Sequence, residues 1–106
     1  MPFPIPPIKD PALQKFCLEQ NLYDAVAAAY HYFQKFFPTS THIALRFRPP
    51  YYDDEPEDAS IAFDIEIVDM TVKEVLDAED RFFNATMDIP GIEYITPSYR
   101  FKHESS

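Results

Sequence analysis

Two runs of alternating apolar and polar residues stand between helical segments and set the frame of the chain. In His42–Arg48, Ile43, Leu45 and Phe47 point one way, and Ala44, Arg46 and Arg48 point the other. In the run from Ser60 to Val68, Ile61, Phe63, Ile65 and Ile67 share one face, and Ser60, Asp64 and Glu66 share the opposite one. Period two is the mark of half-buried strands. The polar faces carry opposite charges, so Arg46 and Arg48 are expected across from Asp64 and Glu66. Between the runs, Pro49 to Asp58 holds three prolines and five acids. That composition reads as an exposed, self-repelling loop.

Helical spacing governs the rest. Asp10 suits an N-cap and Pro11 a first helical position, so a helix starts there. Helical residues continue to about Phe37, with Pro38 as the stop. Asn21 is a candidate break, able to cap a second helix with Asp24 three residues on; whether 11–37 is continuous stays open. From Leu22 to Phe37, one stripe carries Val26, Ala29, Phe33 and Phe36, and a second carries Tyr23, Ala27, Tyr30 and Phe37. Together they cover more than half the helix circumference, which predicts burial on more than one side. In a domain of this size a second subunit is one way to supply the second cover. Tyr23, Tyr30, Phe33 and Phe37 are therefore the expected self-association residues.

Thr71-Val72-Lys73-Glu74 is a capping box directly after the second strand and predicts a third helix to about Met87. Val72, Val75, Leu76, Phe82 and Phe83 are its expected buried face. Lys73, Asp77 and Arg81 are spaced for an exposed ion-pair ladder. Asp88-Ile89-Pro90-Gly91 ends the helix. A short third strand is expected over about Ile92–Thr96, with Ser98–Lys102 as a kinked extension.

The expected order is one or two helices, two strands, a helix and a strand, with a right-handed crossover through the last helix. Placing the last strand beside the first gives an α+β two-layer sandwich: a three-stranded antiparallel sheet in the order 2-1-3, helices on one face. At 106 residues the chain fits a single domain, residues 1–106, able to bury one core without staples. Four prolines in residues 1–9 read as an extended arm, with Phe3, Ile5 and Ile8 packing it onto the domain or a neighbour.

Composition narrows the chemistry. The net charge is −9 and uneven: residues 1–48 hold five Lys/Arg against three acids, residues 49–106 four against fifteen. An acidic surface repels phosphate backbones, so nucleic acid is not an expected partner and a basic protein is. The same acids also keep an aromatic-rich chain soluble. With Gly91 the only glycine among 106 residues, neither a P-loop nor a dinucleotide fingerprint is possible. One cysteine, Cys17, fits a reducing compartment and a buried structural thiol. Residues Met1–Pro7 show no export signal, and no apolar run approaches the ~20 residues of a membrane span. A cytoplasmic location is the expectation.

No cofactor or metal site is expected. His31, His42 and His103 are scattered, and there is neither a His-Glu-x-x-His motif nor a pair of cysteines. Asp53, Asp54, Glu55, Glu57 and Asp58 lack the alternation and central glycine of a calcium loop. Asp64 and Glu66 share a strand face as paired carboxylates do, but Arg46 and Arg48 account for them more simply.

The segment from about residue 40 to 90 resembles small bacterial proteins of toxin–antitoxin-like gene pairs. It does so through Leu45–Phe47, the acidic proline-containing stretch Asp53–Asp58, Ala62–Glu66 and Val75–Phe83, with Asp80-Arg81-Phe82 nearest the pattern. The resemblance implies a protein-binding role and carries over no catalytic residue.

Two functional expectations follow. The first is a non-enzymatic, self-associating interaction domain, homodimeric and antitoxin-like or regulatory. It presents an acidic face, with Tyr51, Tyr52, Asp53, Asp54 and Glu55 as the partner contacts. The alternative is a small-molecule-binding domain or enzyme, its pocket between helices and sheet lined by Tyr23, Tyr30, His31, Phe33 and Tyr94.

Overall fold

The computed structural model describes residues 6–37, 42–49 and 59–101. Its elements are α1 (Pro11–Gln20), α2 (Tyr23–Phe36), β1 (His42–Arg48), β2 (Ser60–Ile67), α3 (Val72–Thr86), a 3₁₀ turn (Ile92–Tyr94) and β3 (Ile95–Phe101). The fold is α+β, with three helices and one mixed sheet.

Each helix begins where its capping chemistry sits. The Asp10 carboxylate accepts from the Ala12 N–H at 3.0 Å, with Pro11 in the first turn. α1 ends at Asn21, whose left-handed backbone (φ 55°) lets Leu22 N–H donate to Cys17 C=O at 2.8 Å. Asn21 thus closes the first helix rather than opening the second, and the stretch from 11 to 37 is broken there. α2 starts from Leu22 with no side-chain cap. Its start is held instead by burial of Leu22. The Thr71–Glu74 box closes in both directions: Thr71 N–H donates to Glu74 Oε1 at 3.0 Å, and Glu74 N–H donates to Thr71 Oγ1 at 3.1 Å. The Thr71 N–H first, and the Thr71 hydroxyl after it, hold the Glu74 carboxyl below its ordinary value.

β1 pairs antiparallel with β2, Leu45 opposite Phe63 and Arg46 opposite Ala62. β2 pairs parallel with β3, Ile61 opposite Ile95 and Ile65 opposite Tyr99. The strand order is β1-β2-β3, not 2-1-3, and the sheet is mixed rather than antiparallel. Strand directions agree with expectation; the neighbour of β3 does not. The reason lies in β2. Ile61, Phe63, Ile65 and Ile67 are buried on one face, and Ala62 is buried on the other. A strand this apolar gains most from having a neighbour on both sides. The β2–α3–β3 crossover then delivers β3 directly alongside it, parallel to it.

β3 also begins later than expected. Gly91 takes φ +89° and feeds the 3₁₀ turn, so Ile92–Tyr94 is helical rather than extended. Pro97 lies within β3, which is tolerated because β3 is an edge strand.

The core joins buried residues of the three helices to Ile61, Phe63, Ile65 and Ile67 of β2. Its centre is aromatic. Phe33 stacks on Phe82 with ring centroids 4.0 Å apart and planes 9° from parallel, and it meets Phe63 at 5.0 Å. Phe37 lies 6.1 Å from Phe33 and 5.5 Å from Tyr99. Burying one such ring is worth about 1.5–3 kcal/mol. Alanines at 25, 27, 28 and 29 are buried with them, and their small side chains let neighbouring elements approach α2 closely.

Candidate functional site

Three surfaces carry residues of interest: the polar sheet face, a groove beside β1 and the outer flank of α3. On the sheet face the Arg46 guanidinium straddles the Asp64 carboxylate, Nε at 3.2 Å from Oδ2 and Nη2 at 3.1 Å from Oδ1. The contact is diagonal, since Arg46 stands opposite Ala62 in register. Arg48 stands opposite Ser60, so its expected place across from Asp64 and Glu66 is not the one it takes. Arg48 and Arg100 are exposed on this same face. Both carboxylate positions, 64 and 66, therefore sit among arginines, as electrostatic pairing across strands requires.

The groove has a volume of about 750 Å³. It runs from Pro6 and Ile8 past Tyr30 and Gln34 to His42 and Ile43 at the β1 edge. Gln14 donates a side-chain N–H to Ile8 C=O and holds the segment before α1 in place.

Of the five residues expected to share a pocket, Tyr30 alone lines this groove. Phe33 is fully buried at the centre of the core. Tyr94 packs edge-on against Phe16 at 5.6 Å, and Phe16 in turn meets Phe47 at 5.1 Å. The Tyr23 hydroxyl donates to Gln14 C=O at 3.3 Å and ties α2 to α1. His31 lies edge-on to Tyr32 at 5.2 Å. The five side chains are dispersed, so the aromatic pocket is not assembled by this arrangement. Cys17 is buried, and desolvation raises its thiol, the opposite of what activates a nucleophile.

The self-association residues divide as well. Phe33 and Phe37 have no exposed surface, so neither is available to a second subunit. Tyr23 and Tyr30 are half-buried. What solvent meets on α2 is largely Asp24, Gln34 and Lys35, with half-buried Tyr32 and Phe36. Tyr32 and Phe36 stack at 5.9 Å, and the Lys35 ammonium lies over both rings at about 6 Å. This is a cation–π arrangement that covers the outer side of the helix.

Of the exposed large apolar side chains among the described residues, four lie along α3 and its C-cap, Met87. Val72 is 62% exposed, Leu76 54%, Phe83 43% and Met87 70%. The first three were expected in the buried face together with Val75 and Phe82; only Val75 and Phe82, with Ala78 and Thr86, are there. At ~100° per residue, positions 72, 76, 83 and 87 fall within an arc of about 60°. They form one stripe beside the buried one. The sequence held a signal for this: the apolar residues of α3 span a wider arc than one packing face can cover. The remaining surface of α3 carries four acids, Glu74, Asp77, Glu79 and Asp80, against Lys73 and Arg81. Lys73, Asp77 and Arg81 do not form the expected ladder; the ion pairs within 4 Å among the described residues are Lys15–Glu19 and Arg46–Asp64.

Where α3 meets β3, the Tyr99 hydroxyl is buried and finds no hydrogen-bond partner of ordinary geometry among the described residues. Burial raises its pKa strongly, and the nearby Glu79 carboxylate adds to the effect. That proximity sets the Glu79 side of α3 over β3.

Tyr51, Tyr52, Asp53, Asp54 and Glu55 lie outside the described residues. Among the described residues, no three His, Cys, Asp or Glu side chains cluster as a metal site would need, and no helix is long and apolar enough to cross a membrane. Comparison with protein-family models, curated proteins and solved structures finds no match to the chain.

Proposed function

We propose that this chain is a non-enzymatic protein-interaction domain that self-associates and takes a basic protein partner, in the manner of an antitoxin or regulatory subunit. The reading includes a two-layer arrangement in which helices back one sheet face, leaving the outer flank of α3 to meet other molecules. The observation that carries it is the α3 stripe: four exposed large apolar side chains along α3 and its C-cap, on a helix that also carries four acids and two bases. Monomeric soluble proteins seldom leave apolar patches of more than a few hundred Å² without a use. The net charge of −9 selects a basic partner over a nucleic acid.

The test is affinity capture from the native host at about 50 mM and about 500 mM salt, the partner then being purified and titrated back. A basic protein retained at low salt and lost at high salt is the expected result. Recovery of nothing at either ionic strength would remove the partner from the reading.

A small-ligand site has one observation in its favour, the 750 Å³ groove beside Tyr30 and His42. Thermal-shift screening of small aromatic and anionic compounds tests it. A hit that disappears in Tyr30→Ala supports the site, and a screen without hits rejects it.

A further inference from the structure

We infer that the α3 stripe is half of a twofold seam and that its occupant is a second copy of this chain, its α3 running antiparallel to the first. The inference rests on the self-association reading above and gives it a surface and a geometry. A twofold interface is isologous: if residue i meets residue j of the partner, then j meets i of the partner. On two antiparallel helices, this requires facing positions to share one midpoint. The stripe meets that condition twice. Val72 and Met87 have their midpoint between Glu79 and Asp80, and so do Leu76 and Phe83. An antiparallel pair centred there sets Val72 against Met87 of the second copy at each end and Leu76 against its Phe83 nearer the middle. The seam runs ~22 Å along the helix.

The location suits this arrangement. The buried face of α3 centres on Val75, Ala78 and Phe82, and Glu79 marks the flank that lies over β3 beside Tyr99. The stripe begins just beyond Glu79 and is exposed along its length.

Area sets the strength. The exposed parts of the four side chains amount to on the order of 400 Å² per copy, inside the ~300–600 Å² range of a typical monomer's largest apolar patch. A standard interface buries about 800 Å² per partner. The seam therefore needs its polar rim to complete it, and a weak dimer is expected. Charge acts against it. Each copy carries −9, and Glu79 and Asp80 of both copies gather near the twofold axis. Salt screens this repulsion, so self-association strengthens as salt rises. A basic partner shows the reverse salt dependence, which separates the two parts of the functional reading.

Light scattering and sedimentation equilibrium of the full chain, from about 5 to 500 μM at about 50 and 500 mM salt, are the first measurement. The expected mass rises from 12.4 kDa towards twice that value, at lower protein concentration in high salt. Leu76→Asp is expected to stay monomeric throughout, with an unchanged circular dichroism spectrum. The second measurement is disulfide trapping in a Cys17→Ala background. Leu76→Cys chains mixed with Phe83→Cys chains are expected to crosslink at least tenfold more than either chain alone, because 76 faces 83 and not itself.

A chain monomeric to 500 μM in both salts overturns the seam, even if a basic partner is captured. So does a dimer that Leu76→Asp leaves intact, or Leu76→Cys chains that crosslink efficiently with one another. A dimer trapped between positions 76 and 83 with no basic partner recovered upholds the seam while the partner reading fails.

Discussion

α2 and α3 are the two most informative helices, and they invert one another. α2 is apolar around most of its circumference, yet α1, the sheet and α3 cover it within one chain. α3 has the amphipathic pattern and the closed capping box of an ordinary surface helix, yet it leaves Val72, Leu76, Phe83 and Met87 in water. The total of apolar residues along a helix is thus a poor guide to what needs a partner. What decides is how much of the apolar arc the rest of the chain can reach. α2 sits at the centre and is reached from several directions, whereas α3 is covered along one face.

The most severe way to break this contrast is Phe33→Ala. The ring stacks on Phe82 at 4.0 Å and has no exposed surface, so its loss is expected to cost about 3–5 kcal/mol in urea unfolding. The loss should not vary with protein concentration. A cost below ~1 kcal/mol, or one that grows on dilution, would return α2 to the role of an interface.

Gly91→Ala comes next. The backbone there has φ +89°, and a Cβ would stand 2.5 Å from Leu22 Cδ2 at the start of α2. Backbone strain and the displaced leucine together are expected to cost about 1–3 kcal/mol. Thermal unfolding reads it, and an unchanged midpoint would mean that the Gly91–Leu22 contact does not fix α2.

Thr71→Ala opens the capping box of α3 and is expected to cost about 1 kcal/mol. Glu74 adds a pH signature. Its folded-state pKa is depressed, so its contribution is present while the carboxylate is ionised and is lost as pH falls through the carboxylate range. Glu74→Gln should flatten that acid limb of the stability curve. A limb of unchanged steepness would show that the bond to Thr71 contributes nothing to folding.

The smallest effect on the fold is expected from Leu76→Asp. At an exposed helix position it should change the stability of the monomer by no more than ~0.5 kcal/mol, while abolishing self-association. A large loss of monomer stability would show that Leu76 belongs to the core after all.

Much of this was legible in the residues. Asp10-Pro11 and Thr71–Glu74 mark helix starts because capping is local chemistry. Alternation over 42–48 and 60–67 gives β1 and β2 because one face of each packs on the core, partly buried in β1 and buried in β2. The neighbour of β3 was not legible, since its choice turns on the burial of Ala62, a small residue on the nominally polar face of β2 that reads equally well as an edge residue. The start of β3 was hidden by Gly91, which permits either a turn or an extended continuation. For the interaction surface, the abundance of rings on α2 drew attention to Phe33 and Phe37, although periodicity reports which residues share a side and not what lies opposite. The stripe on α3 was written in the 72, 76, 83, 87 spacing, but only the position of β3 shows which part of the apolar arc remains uncovered.

The central place of β2 also orders events during synthesis. Its pairing with β1 spans residues 49–59, whereas its pairing with β3 waits for residues 68–94 to leave the ribosome and α3 to dock. Non-local parallel pairing is the slower of the two. A nascent chain in which β2 has paired with β1 before β3 has emerged has no strand along the far edge of β2, although α2 is already there to cover Phe63. Such an edge invites pairing with a stranger, which makes prompt arrival of α3 and β3 a requirement for soluble yield rather than for final stability alone.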